Sequence, residues 1–158
     1  MKERERWPLQ VKVFDYLLQR ASQQQKIVNL HTKGAEQLVL DKLYQFKIER
    51  AIVHWYSGPL DVFDQLVQYG CYFTFGVELA HRTLIQELAQ RCPADKLLTE
   101  TDGPGGLEWL TGERAYPMHI ADVVEKLAMV RGQNVGEIKA QIWQNYCRLL
   151  SINAKRKE

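Results

Sequence analysis

Lys96-Leu97-Leu98-Thr99-Glu100-Thr101-Asp102-Gly103-Pro104 is the stretch on which the fold turns. A short apolar run closes on two carboxylates and then breaks at Gly-Pro. That pattern predicts a buried strand with acids at its carboxyl end, running into a loop. In a barrel or an open α/β sheet, chemistry sits at that end of the strands. Two earlier stretches share the plan, Ile27-Val28-Asn29-Leu30-His31 and Ala51-Ile52-Val53-His54. Each is a short apolar strand that delivers one metal-competent side chain at its far end.

Working outward, strand and helix patterns alternate. Strands are predicted over 26–30, closing on His31, and over 51–54, 71–75 and 96–101. Helices are predicted over 8–24, 34–47, 60–69, 80–91, 117–131 and about 134–150, from apolar residues at helical spacing. In the first helix Val11, Phe14, Leu17, Leu18 and Ala21 form the apolar face; in the second, Leu38, Leu43 and Phe46. Asp61 or Ser57 is expected to cap the helix 60–69. The glycine-rich segment 103–116, with Trp109, reads as a long loop. Strand ends recur at roughly 20–25 residues, the length of a strand plus helix with short connections. Such alternation implies a parallel sheet with helices outside it and right-handed crossovers. Four units make half of a (βα)8 barrel or a small open sheet, and periodicity leaves both open.

A chain of 158 residues suffices for one domain, taken as 1–158, with a real core. A hydrophobic fraction of 46% with 25% charged residues is that of a globular protein. The net charge of +2 neither demands nor excludes nucleic acid. No apolar run approaches the ~20 residues of a membrane span, and the charged residues 1–6 are not a secretory signal and are expected to fray. The basic tail, Lys155 to Glu158, is expected to be solvated. Cys71, Cys92 and Cys147 lack CxxC spacing, so free thiols in a reducing cytoplasm are expected.

His31, His54 and Asp102 fall on one rim of any parallel sheet built this way, and alternation lets them point to one side. Two imidazoles and a carboxylate are ordinary ligands for Zn, Mn or a similar ion, which would activate water for hydrolysis. Each histidine alone reads equally as a hydrogen-bonded residue at a strand end; three such residues at matching ends favour a site. Glu100, on the same face as Asp102, is a candidate acceptor or proton carrier behind the ligands, or a buried partner for a base. Gly58, Gly76 and Gly103 follow the strand ends, where glycine lets backbone pass near a ligand or simply makes a turn. Tyr56, Trp55 and Trp109 could stack bases or pack. Arg114 and Lys33 could meet phosphate or stay solvated. His81 and His119 receive no role.

These residues resemble the TatD family of metal-dependent hydrolases, which contains deoxyribonucleases. The matching segments are Ile27 to Glu36, Ala51 to Gly58, Tyr72 to Gly76, Leu97 to Pro104 and Asn145 to Leu150, in family order and across about 8–150. The segments His54-Trp55-Tyr56-Ser57-Gly58 and Thr99-Glu100-Thr101-Asp102-Gly103-Pro104 look most like the TatD-like nuclease of Qat-type anti-phage defence systems. The resemblance implies a (βα)8 barrel of TIM type, one or two divalent metal ions (Zn, Mn or Mg), and cleavage of phosphodiester bonds, often from a DNA 3′ end. It implies that His31 and His54 are metal histidines of the fifth and sixth strands and Asp102 the metal aspartate of the eighth. Asp102 and Glu100 would then form the catalytic pair, with Arg114, Lys33 and Tyr56 toward substrate. Thr111 and Ala115 depart from the arginine and asparagine usual around Arg114, and Lys33 stands where arginine is usual.

The family opens with a His-x-His pair and supplies a glutamate from its fourth strand; no His-x-His occurs here. The chain therefore reads as the C-terminal half of the barrel, four βα units and a leading helix. Two classes follow: a hydrolase when the barrel is complete, or a non-catalytic half-barrel acting as a binding module, as in a phage-defence complex. An open half-barrel leaves raw sheet edges, so association with itself or with a partner supplying the N-terminal half is expected.

Overall fold

Four short parallel strands position everything else, and a computed structural model describes residues 6–151 of the chain. The charged leader up to residue 5 and the basic tail from 155 lie outside the described residues. In chain order the elements are α1 (Trp7–Gln23), β1 (Val28–His31), α2 (Glu36–Phe46), β2 (Ala51–His54), α3 (Leu60–Tyr69), β3 (Tyr72–Phe75), α4 (Thr83–Arg91), β4 (Leu97–Thr99), α5 (Gly105–Thr111), α6 (Ile120–Arg131) and α7 (Val135–Leu150). Short 3-10 turns at Val77–Ala80, Ala94–Lys96 and Pro117–His119 connect them.

The sheet order is β1-β2-β3-β4, so sequence neighbours are spatial neighbours and every pair is parallel. No strand reverses the order, as it would in a doubly wound sheet. Right-handed crossovers then put the connecting helices on one face. On that face Leu30, Val53, Phe73 and Leu97 pack against Leu40, Leu43, Phe63, Leu66, Leu88 and Leu127 in the main core.

Register assigns the other face. His31 pairs with His54, Asn29 with Ile52, Ile52 with Tyr72, and Thr74 with Leu98. Alternation puts these residues on the side away from the main core. Near its lower end Tyr72 and Leu98 meet Leu149 of α7, with Ile27 and Ile52 partly covered. Asn29 and His31, on β1, are exposed.

Local chemistry explains most boundaries. Pro8 stands in the first turn of α1, where a missing N–H costs nothing. The α3 helix stops at Gly70, whose φ of 107° suits glycine. The Asn134 side chain accepts the Glu137 N–H at 2.8 Å, and Glu137 accepts the Asn134 N–H in return, so α7 starts with a reciprocal cap.

Several expectations are corrected. The residue before α3 is Pro59, with no side-chain cap, so neither Asp61 nor Ser57 serves. The predicted helix 80–91 begins three residues later, because Val77–Ala80 forms a 3-10 turn and Arg82 is extended. The predicted loop 103–116 contains α5. In α1 only Leu18 is fully buried; Leu17, assigned to the apolar face, is 57% exposed, as are Leu9, Val13 and Tyr16 to similar degrees.

Candidate metal centre

The two histidines are the last residues of adjacent strands, and the pairing of β1 with β2 sets them side by side. Their ring centroids are 4.9 Å apart with the planes tilted by 43°. Partial burial holds the His31 imidazole below its ordinary pKa, helped by His54 and Lys33 and opposed by Asp102 and Glu36. That direction favours the neutral ring, whose lone pair is what a metal ion requires.

Glu100 follows β4, and its main-chain N–H donates to the Phe75 carbonyl at 3.1 Å, prolonging the ladder. Its carboxylate reaches across the sheet. One oxygen lies 3.3 Å from His54 Nδ1 and the other accepts the Trp55 N–H at 3.0 Å. With Nδ1 engaged, His54 has Nε2 left for an ion. Burial raises the Glu100 pKa, against the Thr74 hydroxyl, His54 and the Trp55 N–H; Asp102 raises it further.

Asp102 is exposed and adopts a left-handed backbone with φ of 47°. Its carbonyl accepts the Gly106 N–H at 2.7 Å, tying it to the start of α5. Asp102 adds to the electrostatics of both His31 and Glu100, raising the pKa of each. The next residue, Gly103, passes so close to Ala115 that a β-carbon would stand 2.7 Å from the Ala115 carbonyl oxygen. Close backbone approach, rather than a left-handed turn, is what requires glycine there.

The donor chemistry, two imidazoles and a carboxylate, suits a divalent ion of borderline softness. Among the described residues, however, no three His, Cys, Asp or Glu side chains are gathered closely enough to enclose one unaided.

The other residues singled out from the sequence divide. Lys33 is exposed, its Nζ 5.0 Å from the centroid of the exposed Trp109 ring. Arg114 is exposed on the segment after α5. Tyr56 is a correction. It is only 4% exposed, its hydroxyl donates to the Pro59 carbonyl at 2.7 Å, and its ring lies against Phe63 and Phe73. An aromatic so placed belongs to the core and offers no face to a substrate. Trp55 is buried too, against Val77 and Val123, with Leu107 and Leu110 beside them.

Glu78 escaped the sequence reading. It is 2% exposed, on the turn after β3, with Arg82 Nη1 3.5 Å away. Burial pushes its pKa up to about 7, Glu100 adds to the rise, and Arg82 and Lys33 oppose it. Its signal was a carboxylate within the apolar Val77-Glu78-Leu79-Ala80, directly after a strand.

Fold and site together define a parallel α/β protein with a candidate metal centre at the carboxyl ends of its strands. The chain belongs to the TatD-related DNase family, whose pattern it matches over residues 1–151. It is 28% identical over 140 residues to the uncharacterized metal-dependent hydrolase YcfH of Escherichia coli K12, covering 83% of this chain and 51% of that protein. It is 27% identical over 139 residues to the 3′-5′ ssDNA/RNA exonuclease TatD of Erwinia tasmaniensis, covering 79% and 52%. The crystal structure of YjjV, a TatD homologue from Escherichia coli K12, superposes with a TM-score of 0.87 at 22% identity, over 97% of this chain and 61% of that one. The chain spans about half the length of the curated relatives it matches. No helix among the described residues is long and apolar enough to cross a membrane.

Proposed function

We propose that the chain supplies the C-terminal half of a metal-dependent phosphodiesterase acting on DNA, with trimming from a 3′ end as the preferred mode. The observation that carries this reading is the His31–His54 pair, aligned by strand register and backed by Glu100 on His54 Nδ1. In this reading His31, His54 and Asp102 hold a divalent ion (Zn, Mn or Mg). When bound, the ion supplies Lewis-acid charge and lowers the pKa of a water. Glu100 fixes the His54 ring and can hold a proton, since burial raises its pKa. Lys33 and Arg114 offer charge to the phosphates on either side of the scissile bond. Free thiols at Cys71, Cys92 and Cys147, all buried, suit a cytoplasmic setting.

The remaining ligands come from the other half of the barrel, in a partner chain or a longer form of this one. Among the described residues β1 and β4 each pair on one side only. The exposed residues Leu9, Val13, Tyr16 and Leu17 form an apolar stripe along α1, as they would where a neighbouring helix is due. Self-association is the other way of covering both.

The test has two arms. Calorimetry with Mn²⁺ on the chain and on His54→Ala should show weak binding that the variant loses; equal binding in both would remove the metal centre. A 3′-labelled single-stranded DNA should be shortened when metal and the complementary half-barrel are both present. DNA that stays intact under those conditions leaves a non-catalytic binding module.

A further inference from the structure

We infer that the cavity beside the candidate metal centre, between the turn after β3 and the start of α6, is a pocket for a single nucleobase. It rests on the DNA reading above and names the part of the substrate that the metal centre does not hold. The cavity measures about 240 Å³. That is below the roughly 300–1,000 Å³ of sites for drug-sized ligands and suits one heterocyclic ring.

Its position follows from two contacts. Gly76 lines the cavity, and a β-carbon on Gly76 would lie 3.3 Å from Glu100 Cγ. The wall residues Val77, Leu107 and Val123 are the cluster that buries Trp55, the residue whose N–H Glu100 accepts. One residue's thickness therefore separates the cavity from Glu100, the carboxylate behind His54. A base held there would lie on the Glu100 side of the candidate centre.

The lining selects the ligand class. Leu79, Leu107 and Val123 are among its apolar lining residues, and His81, Glu113, His119, Asp122 and Lys126 make its polar rim. His119 Nδ1 accepts the Tyr116 N–H at 3.1 Å, which leaves its proton on Nε2 as a donor. Asp122 adds an acceptor, and Lys126, one turn further along α6, adds a donor. A phosphate would meet two carboxylates here, and a cation would meet the Lys126 ammonium. An aliphatic ligand would strip water from the polar rim without replacing its hydrogen bonds. A neutral, flat ring with donors and acceptors on its edge satisfies all of them.

The experiment titrates each of the four deoxynucleoside monophosphates into the full chain, in EDTA, and follows the histidine ring protons by NMR. Deoxyribose 5-phosphate is the baseless control. The signals of His81 and His119, assigned with His81→Gln and His119→Gln, should shift saturably with at least one nucleotide and stay still with the sugar phosphate. Ala80→Trp fills the pocket from an exposed position. It should abolish the shift while the methyl spectrum remains that of the folded chain. Asp122→Ala is the second variant and should weaken binding at least threefold. No shift with any nucleotide overturns the proposal, as does an equal shift with the sugar phosphate or a shift that survives Ala80→Trp. Metal is absent throughout, so the outcome is separate from that of the Mn²⁺ titration.

Discussion

His31 and His54 face each other across the β1–β2 ladder with ring centroids 4.9 Å apart, and only one of them is held from behind. Glu100 engages His54 Nδ1 at 3.3 Å, while His31 has an exposed side chain. In the proposed metal site the pair would be one fixed ligand and one adjustable ligand, and its affinity for an ion would depend on the residue that fixes the first.

Glu100→Gln should therefore weaken Mn²⁺ binding about 10- to 100-fold, the usual cost of removing a carboxylate behind a metal histidine. It keeps an acceptor for the Trp55 N–H, so thermal stability should change little. Glu100→Ala should lose the same affinity and also destabilise the fold by about 1–3 kcal/mol, since the Trp55 N–H is left unpaired. Calorimetry and thermal melts on the two variants separate the effects.

Glu78 makes stability depend on pH. Its carboxyl takes up a proton at about 7 in the folded chain against 4.5 when unfolded. Between those values the folded state binds more protons than the unfolded state, so stability falls as pH rises through that window and levels off above it. The loss across the window is on the order of 3 kcal/mol. Glu78→Gln should flatten the dependence, as read by urea denaturation at pH 5 and pH 8. A wild-type chain equally stable at both would contradict the assignment.

Asn145 joins α7 to the entry of β4. Fully buried, it donates to the Ala94 carbonyl at 2.6 Å and the Leu97 carbonyl at 2.8 Å, and accepts from Gln141 at 2.8 Å. Asn145→Ala should cost about 2–3 kcal/mol in chemical denaturation, because two carbonyls lose their donor. Lys139→Ala on the exposed side of the same helix should stay within about 0.5 kcal/mol of wild type.

Gly103→Ala and Gly105→Ala form a matched pair. A β-carbon at Gly103 meets the Ala115 carbonyl oxygen at 2.7 Å, whereas one at Gly105 meets nothing within 4 Å. Gly103→Ala should destabilise by about 1–3 kcal/mol through overpacking and weaken Mn²⁺ binding by moving Asp102. Gly105→Ala, in a helix, should be neutral or slightly stabilising. Thermal melts and the metal titration check both.

The ends of β2 and β4 were legible because each carries its own punctuation: an apolar run, a polar terminus, then a break at Gly58-Pro59 or Gly103-Pro104; β1 ends on His31 before Gly34, and β3 on Phe75 before Gly76. Parallel order followed from alternation. The α5 helix was not legible, since Gly105 and Gly106 are poor helix formers. Packing decides that stretch: a β-carbon on Gly106 would stand 2.8 Å from the Thr101 carbonyl oxygen and 2.9 Å from the Trp55 ring. Tyr56 and Trp55 were ambiguous because aromatic residues in an exit loop suit a rim or a core equally, and only tertiary contact decides. Leu17 was misassigned because the outer face of α1 is also apolar, so spacing alone named too wide a stripe.

The bond from Trp55 to Glu100 joins the tips of β2 and β4 over the head of β3. Strands two apart in a flat sheet lie about 10 Å from each other, so the Glu100 side chain spans most of the width of β3 to make this 3.0 Å contact. If the proposed barrel is completed by a second set of strands, that brace across the rim is in place before they arrive.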